Sequence, residues 1–380
     1  MERKVTCFWT EPKAAEAYQA AVSLHGHTIY SKESLWFVPE YLGKYRALRW
    51  VLEYHNAKSQ RNKALPLDFE RAHWTPPATP SAAYELEQKQ INEELGLRSI
   101  ISLTDHDNIK APLLLRIHHD TADVPISLEW SVPFEEDELH IGLHNLPSGE
   151  AESMVASMNT FTANPKEEAL RDILADLHSR KDLLIVLNHP LWDLFHKGEL
   201  HMQALNSFMA KHGQYIHAFE LGGLRCWDEN RKVYELAAQW NVAVVAGGDR
   251  HGFEPSACLN LTNAASLPEY IQEVRKKTSH VLFMPQYTRP LWVRMMQVVL
   301  DASQEQPGHP MGANWTERTF HPDRSGALQP ICQLWDHTPE FIETTLRMFR
   351  LLESRGMQGA IATEVRRRQR VWLRFGPEEA

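Results

Sequence analysis

Asn241–His251 reads NVAVVAGGDRH. Its apolar run (Val242, Val244, Val245) has the length of a buried strand and is closed by Gly247 and Gly248. Glycine lets a backbone turn sharply where a strand stops. Asp249 and His251 then fall at the strand's carboxyl end, where parallel sheets and barrels keep their sites. A carboxylate and an imidazole two residues apart suit a hard-to-borderline divalent ion. Polar residues after a strand are also ordinary loop composition. The reading therefore depends on whether other segments send matching groups to the same place.

Outward from this stretch the pattern recurs. Ala20–Leu24 leads into Leu24-His25-Gly26-His27-Thr28, and side chains two apart on an extended strand share a face. Arg98–Leu103 ends in Thr104-Asp105-His106-Asp107-Asn108, and Val124–Leu128 ends in Glu129-Trp130. Glu138–Leu143 alternates and carries His140 inside it, with His144 just beyond. Asp182–Leu187 ends in Asn188-His189-Pro190, and Ile216–Phe219 ends in Glu220-Leu221-Gly222-Gly223. His280–Met284 is a last short strand. Between the runs lie segments of helical spacing: Ser81–Leu95 with Gly96 as its C-cap, Asn164–Arg180 with Asn164 as N-cap and Pro165 at the first position, Leu200–His212, Glu229–Trp240 and Pro268–Lys277. Strand alternating with helix predicts an α/β fold of parallel β/α units, whose strand ends converge on one face. Nearly every His, Asp or Glu singled out lies at or just past a run's end; His140 is the exception.

Composition bounds the function. The chain has 380 residues, enough for one large domain and a smaller appendage, and its 43% hydrophobic content supports a sizeable core. The formal charge of −9 and pI near 6.1 argue against a dedicated nucleic-acid binder. MERKVTCFWTEPK has no apolar signal region and no window approaches a membrane span, so a cytoplasmic protein is expected, with no membrane partner. Cys7, Cys226, Cys258 and Cys332 are scattered without a CxxC pair and read as reduced thiols.

In order, LHGHT, LTDHDN, SLEW, LHIGL, NHP, FELGG and GGDRH resemble the PHP (polymerase and histidinol phosphatase) domain, over about residues 20–285. The resemblance implies a distorted (β/α)7 barrel, taken to occupy 1–285 with an insert at 34–83; the residues beyond it are expected to form a mainly helical C-terminal extension over 286–380. It implies two or three divalent ions (zinc, manganese or iron) at the carboxyl ends of the strands. His25 and His27 match the HxH ligand pair, and His106 the histidine of the TDHD motif with Asp105 as an orienting acid beside it. Glu129 matches the bridging glutamate, His140 the histidine of the next strand with His144 competing, His189 the histidine before proline, and Asp249 and His251 the closing pair. Glu220 is a further strand-end candidate. Where relatives carry an acid or histidine five or six residues after the HxH pair, this chain has Lys32 and Glu33. Glu33 is the candidate ligand there, and Lys32 a candidate contact for a substrate phosphate.

The chemistry that follows is hydrolysis by a metal-dependent phosphoesterase of a small phosphomonoester or nucleotide-type substrate. Asp249, His251 and Asp105 are the catalytic candidates, and Arg250, Arg225 and Lys32 the substrate-binding ones. Two other readings stay open: an amidohydrolase-like hydrolase of a non-phosphate bond, and a non-catalytic, metal-stabilised barrel with a partner-binding tail. Tyr41–Asn56 and Thr338–Arg355 have helical spacing, Asn62–Ser81 is a Pro-rich excursion, and Gln286–Pro330 shows no clear period. Ala362–Phe375 is a basic helix suited to packing on the barrel or to self-association, and less to nucleic acid.

Overall fold

The structure is a computed structural model describing residues 4–36, 49–50, 53–54, 57, 65, 67–193, 195–335, 340–352 and 363. The fold is mixed α/β. Its strands are β1 (Lys4–Cys7), β2 (Ala20–Ser23), β3 (Glu33–Ser34), β4 (His73–Trp74), β5 (Arg98–Ile101), β6 (Leu128–Phe134) and β7 (Asp137–His144), followed by β8 (Leu184–Leu187), β9 (Ala218–Gly222), β10 (Ala243–Gly247), β11 (Cys258–Thr262), β12 (His280–Phe283), β13 (Thr319–Pro322) and β14 (Leu328–Pro330). The helices are α1 (Pro80–Lys89), α2 (Lys110–Leu115), α3 (Ala151–Ala163), α4 (Glu167–Ser179), α5 (Glu199–His212), α6 (Trp227–Gln239), α7 (Leu267–Arg275), α8 (Leu291–Ala302), α9 (Ile331–Leu334) and α10 (Glu340–Leu352).

Two five-stranded sheets, ordered β1-β12-β11-β2-β5 and β10-β9-β8-β7-β6, carry the site. The central runs are buried on both faces, as sheets covered by helices require. Alternate residues divide between two cores. Leu184, Val186, Ala218, Ala243 and Val245 pack with Val22 and Leu24. Ile185, Leu187, Phe219, Val244 and Ala246 face the other way, onto Leu174 of α4, Phe208 of α5 and Val233 of α6.

The two sheets meet through isolated bridges, Gly26 with Arg250 and His106 with Glu129. Continuous ladders do not close into a barrel among the described residues. Nor is the order wholly parallel. β7 runs antiparallel to both β6 and β8, and β11 antiparallel to β12 and β2. The reason for β7 is loop length. Phe134 pairs with Asp137 across Glu135 and Glu136, with Glu135 at φ 55°, and a parallel return needs a crossover of about a dozen residues.

Local readings are corrected in two places. Asn164 does not begin a helix; it closes α3, its N–H reaching the Phe161 carbonyl at 2.9 Å, and α4 starts at Glu167. The stretch expected to lack period, Gln286–Pro330, holds α8, β13 and β14, so the extension is not simply helical. Its strands form a sheet ordered β14-β13-β4-β3, in which Trp74 pairs with both Thr319 and Glu33. The 34–83 insert and the extension are thereby built together. Gly96 ends the α1 segment at φ +67°, as its sequence position predicted. Most of Tyr41–Asn56 and nearly all of Ala362–Phe375 lie outside the described residues. No helix among the described residues is long and apolar enough to cross a membrane.

Candidate metal centre

Strand ends deliver the site. Asp249 and His189 sit at φ 49° and 27°, left-handed conformations that cost non-glycine residues energy and occur where a side chain must be aimed. Gly247 and Gly248 serve close approach rather than turning. A Cβ on Gly247 would lie 1.4 Å from Glu220 Oε1, and one on Gly248 would lie 2.9 Å from the His25 carbonyl oxygen.

Glu129 is the centre. Its Oε2 lies 3.1 Å from His25 Nε2, 3.4 Å from His27 Nε2 and 3.3 Å from His106 Nε2. Its Oε1 lies 3.1 Å from His189 Nε2 and 3.4 Å from His140 Nδ1, and accepts from Asn188 Nδ2 at 2.9 Å. One carboxylate, 1% exposed, thus faces five imidazoles. Asp249 Oδ1 closes one side, 3.6 Å from His27 Nε2 and 3.5 Å from His251 Nδ1. Glu33 closes the other, with Oε2 2.9 Å from His251 Nε2 and 3.6 Å from His106 Nε2.

The sequence left the fifth and sixth positions after the HxH pair open between a lysine and an acid. The fold turns Glu33 inward and leaves Lys32 exposed at the cleft. His140 joins the group; His144 does not, its Nδ1 being engaged with Ser102 Oγ at 2.8 Å.

Arg250, expected to bind substrate, and Asp105, expected both to orient a ligand and to serve in catalysis, are held inside the protein. Arg250 is 4% exposed, pairs with Glu87 at 3.0 Å and donates to the Gly252 carbonyl at 2.8 Å and the His27 carbonyl at 3.2 Å. Its hydrogen-bonding capacity is absorbed inside the protein, so it ties the two ligand loops together instead of meeting substrate. Asp105 is fully buried and accepts from Thr28 N at 2.6 Å and Thr28 Oγ1 at 2.7 Å. It fixes the loop that carries His27, and burial pushes its carboxyl up to about 6. Arg225 does line the cleft, but it pairs with Asp249 Oδ2 at 3.0 Å and lies 3.8 Å over the Trp192 ring.

Glu220, the further strand-end candidate, reaches the cluster, and the sequence did not single out Glu138, Glu87 or Asn188 for a role beside it. Glu220 accepts from the His189 amide at 2.8 Å and meets His25 Nδ1 at 2.7 Å, which leaves His25 Nε2 aimed at the cluster. Glu138 stands 3.3 Å from His140 Nε2 in the same way. Glu87 was signalled by an acid at a core position of α1, beside buried Ala83. Asn188 was signalled by its place next to His189 at a strand end.

The donor set fits divalent cations. Four groups of three ligand atoms each lie within 4.8 Å: His25, His27 and Glu129; His25, His189 and Asp249; His27, Glu33 and His251; His106, Glu129 and His140. Nitrogens and oxygens with these identities and this mutual spacing could hold divalent metal ions. Glu33 Oε1, His106 Nδ1 and His140 Nδ1 are buried and make no hydrogen bond among the described residues. The electrostatics agree. Burial opposes its charge, yet the imidazoles of His25, His106 and His140 hold the Glu129 carboxyl well below the usual range. Burial likewise opposes protonation of His251, yet Glu33 and Asp249 raise it to about 9. Burial keeps His27 neutral down to about pH 4, with its lone pair available. The cluster attracts positive charge.

The cluster floors a cleft of about 560 Å³, the size of a small-molecule site.

No model of a known protein family matches the chain, and no curated protein matches it. Among solved structures, it is similar to PsfC from Pseudomonas syringae PB-5123 at 14% identity, covering 70% of this chain and 93% of that one with a TM-score of 0.37. A chain from Chromobacterium violaceum described as an amidohydrolase is similar at 13% identity, covering 55% and 93%, with a TM-score of 0.34. A chain from Bifidobacterium adolescentis, named provisionally as a metal-dependent phosphoesterase, is similar at 14% identity, covering 62% and 88%, with a TM-score of 0.32.

Proposed function

We propose that the chain is a PHP-type metal-dependent phosphoesterase, hydrolysing a small phosphomonoester or nucleotide-type substrate with two or three bound divalent ions. The observation that carries this is Glu129, a single buried carboxylate shared by five imidazoles from four segments. Two ions can clamp the attacking and leaving oxygens of an in-line displacement, and the two oxygens of Glu129 face different histidines that could hold them. In this reading His25, His27, Glu33, His106, Glu129, His140, His189, Asp249 and His251 hold the ions. Ions bound there supply Lewis acidity toward a phosphoryl group and toward water. The bridges Gly26–Arg250 and His106–Glu129 support reading β2 and β5 to β10 as a distorted seven-stranded barrel around the site.

The protein's own groups position and protonate. Glu220 and Glu138 orient His25 and His140. Lys32 offers a charge at the mouth of the cleft for substrate oxygens. Arg225, paired with Asp249, keeps that carboxylate fixed and ionised; burial opposes its charge, but His251 and Arg225 hold it well below the usual range. Asp249 is therefore a ligand rather than a proton donor. His251 donates through Nδ1 to the Asp249 carbonyl at 2.8 Å and keeps Nε2 toward Glu33 and the cleft. Where two ions bind and leave its Nε2 unligated, His251 is placed to hand a proton to the leaving oxygen.

The test is metal analysis combined with turnover of p-nitrophenyl phosphate, bis-p-nitrophenyl phosphate and nucleotides. The protein is expected to carry metal and hydrolyse at least one ester, and His25→Ala or Asp249→Ala to lose both metal and at least about a hundredfold in turnover. Bound metal without hydrolysis of any phosphate ester sinks the reading, as does full activity in either variant.

A further inference from the structure

The cleft above the cluster has a wall that neither the ligands nor phosphate chemistry accounts for. Trp74, Trp192, Leu224, Met295 and Val298 line it, all half-buried. The two tryptophans stand at opposite ends of the imidazole row. Trp74 lies 6.1 Å from the His251 ring, contacts then run from His251 to His27 at 4.3 Å, to His25 at 5.0 Å and to His189 at 5.9 Å, and Trp192 lies 5.2 Å from His189. Three of the polar side chains that share the cleft already hold hydrogen bonds within the protein. Asn108 donates to the Tyr30 carbonyl at 2.8 Å, Asn159 to the Asp107 carbonyl at 3.2 Å, and Thr162 to the Ser131 carbonyl at 2.8 Å. A sugar or polyol would need donors and acceptors that can be redirected to its hydroxyls, and this wall offers few.

We propose that the cleft selects a phosphomonoester whose organic part is flat and apolar, seated against Trp74, Met295 and Val298 while the phosphoryl group meets the cluster. This rests on the phosphoesterase reading and adds its substrate class. The specificity-determining residues come from outside the strand–helix units. Trp74 belongs to β4 in the insert, and Met295 and Val298 to α8 in the extension. The two segments are joined, because Trp74 pairs across the small sheet with Thr319 and Glu33. The same pairing ties the apolar wall to a residue of the metal-ligand cluster.

Calorimetric titration of metal-loaded protein with methylphosphonate and benzylphosphonate tests this. Both carry the same anionic head and neither is hydrolysed. Benzylphosphonate is expected to bind at least about tenfold more tightly, as burial of an aromatic ring implies. Trp74→Leu and Val298→Ser should each shrink that ratio by about threefold or more. Methylphosphonate affinity and metal content should stay unchanged. Val298→Ser keeps the test open if Trp74→Leu disturbs the small sheet. A ratio near one in the native protein, or an unaltered ratio in both folded variants, overturns the proposal. If the preference holds but no phosphate ester is hydrolysed, the apolar subsite stands and the phosphoesterase reading falls. If esters are hydrolysed with a ratio near one, only the subsite falls. If neither phosphonate binds, the subsite falls, and ester hydrolysis alone decides the phosphoesterase reading.

Discussion

Gly247 has no room for a methyl group, because Glu220 fills the space where its Cβ would stand. Gly247→Ala must therefore push Glu220 off His25 and off the His189 amide. Loss of such an orienting carboxylate weakens metal binding by roughly tenfold or more. Competition with a chromogenic chelator measures this, and Gly149→Ala, with nothing within 4 Å, is the control. Native metal affinity in Gly247→Ala would refute the close-packing argument. A second residue gives a pH dependence away from the cluster. His217 Nδ1 accepts from the Ile185 amide at 2.9 Å. Burial, then Arg275 and His178, lowers His217 to about 3. The unfolded imidazole protonates near 6.5, so the unfolded state binds the proton first. Stability from this group is complete above about 6.5 and falls with pH, by about 1.4 kcal/mol per unit, until the folded value is reached. Urea unfolding at pH 7 and pH 5.5 should show that loss in the native protein. His217→Gln should remove about that much of the difference; an equal drop in both would show that His217 is not responsible.

At the scale of elements, α8 braces the site from outside. Buried Arg294 donates to the Gly223 carbonyl and, at 3.1 Å, to the Arg225 carbonyl, holding the turn after β9. Buried Asp301 accepts from the Phe253 amide at 2.7 Å, holding the loop after His251. Asp301→Ala leaves that amide without its acceptor and is expected to cost about 1–3 kcal/mol. Denaturant unfolding reads the cost, and hydrogen exchange at Phe253 reads the loosened loop. Unchanged protection at Phe253 would mean that α8 does not hold this loop. The β6–β7 hairpin is the other decisive element. Its two-residue connection reverses β7, so His140 enters the cluster from mid-strand, paired with Ser131; and the run expected to end at Glu129 instead begins there, Glu129 being the second residue of β6.

For the whole molecule, the cluster gathers residues from position 25 to position 251, so an ion bound there links distant parts of the fold. An ion at a hundred times its dissociation constant stabilises the folded state by about 2.7 kcal/mol. Chelation is expected to lower the thermal midpoint by several degrees, and restoring zinc or manganese to recover it. Glu129→Ala should have a midpoint insensitive to chelator. An unchanged midpoint in native protein shown to have lost its metal would contradict this role. The cleft extends the same integration: its floor comes from the strand ends, and its apolar wall partly from the insert and extension that pair in the small sheet.

The sequence by itself determined the α/β alternation, the places of most strands and the positions at which His, Asp and Glu are presented. Those follow from local period and from glycine or proline at the ends of runs, which a short window contains. In GGDRH it marked Asp249 and His251 for the cluster but did not distinguish Arg250, whose environment is set by Glu87 from a distant helix. Only the tertiary structure chose Glu33 over Lys32 and His140 over His144, turned Asp105 to Thr28, and joined Trp74 to β13. Each of those outcomes depends on which strand lies alongside and in which direction it runs. Pairing across dozens or hundreds of residues leaves no periodic trace in the chain, and a one-residue change of register sends a side chain to the opposite face.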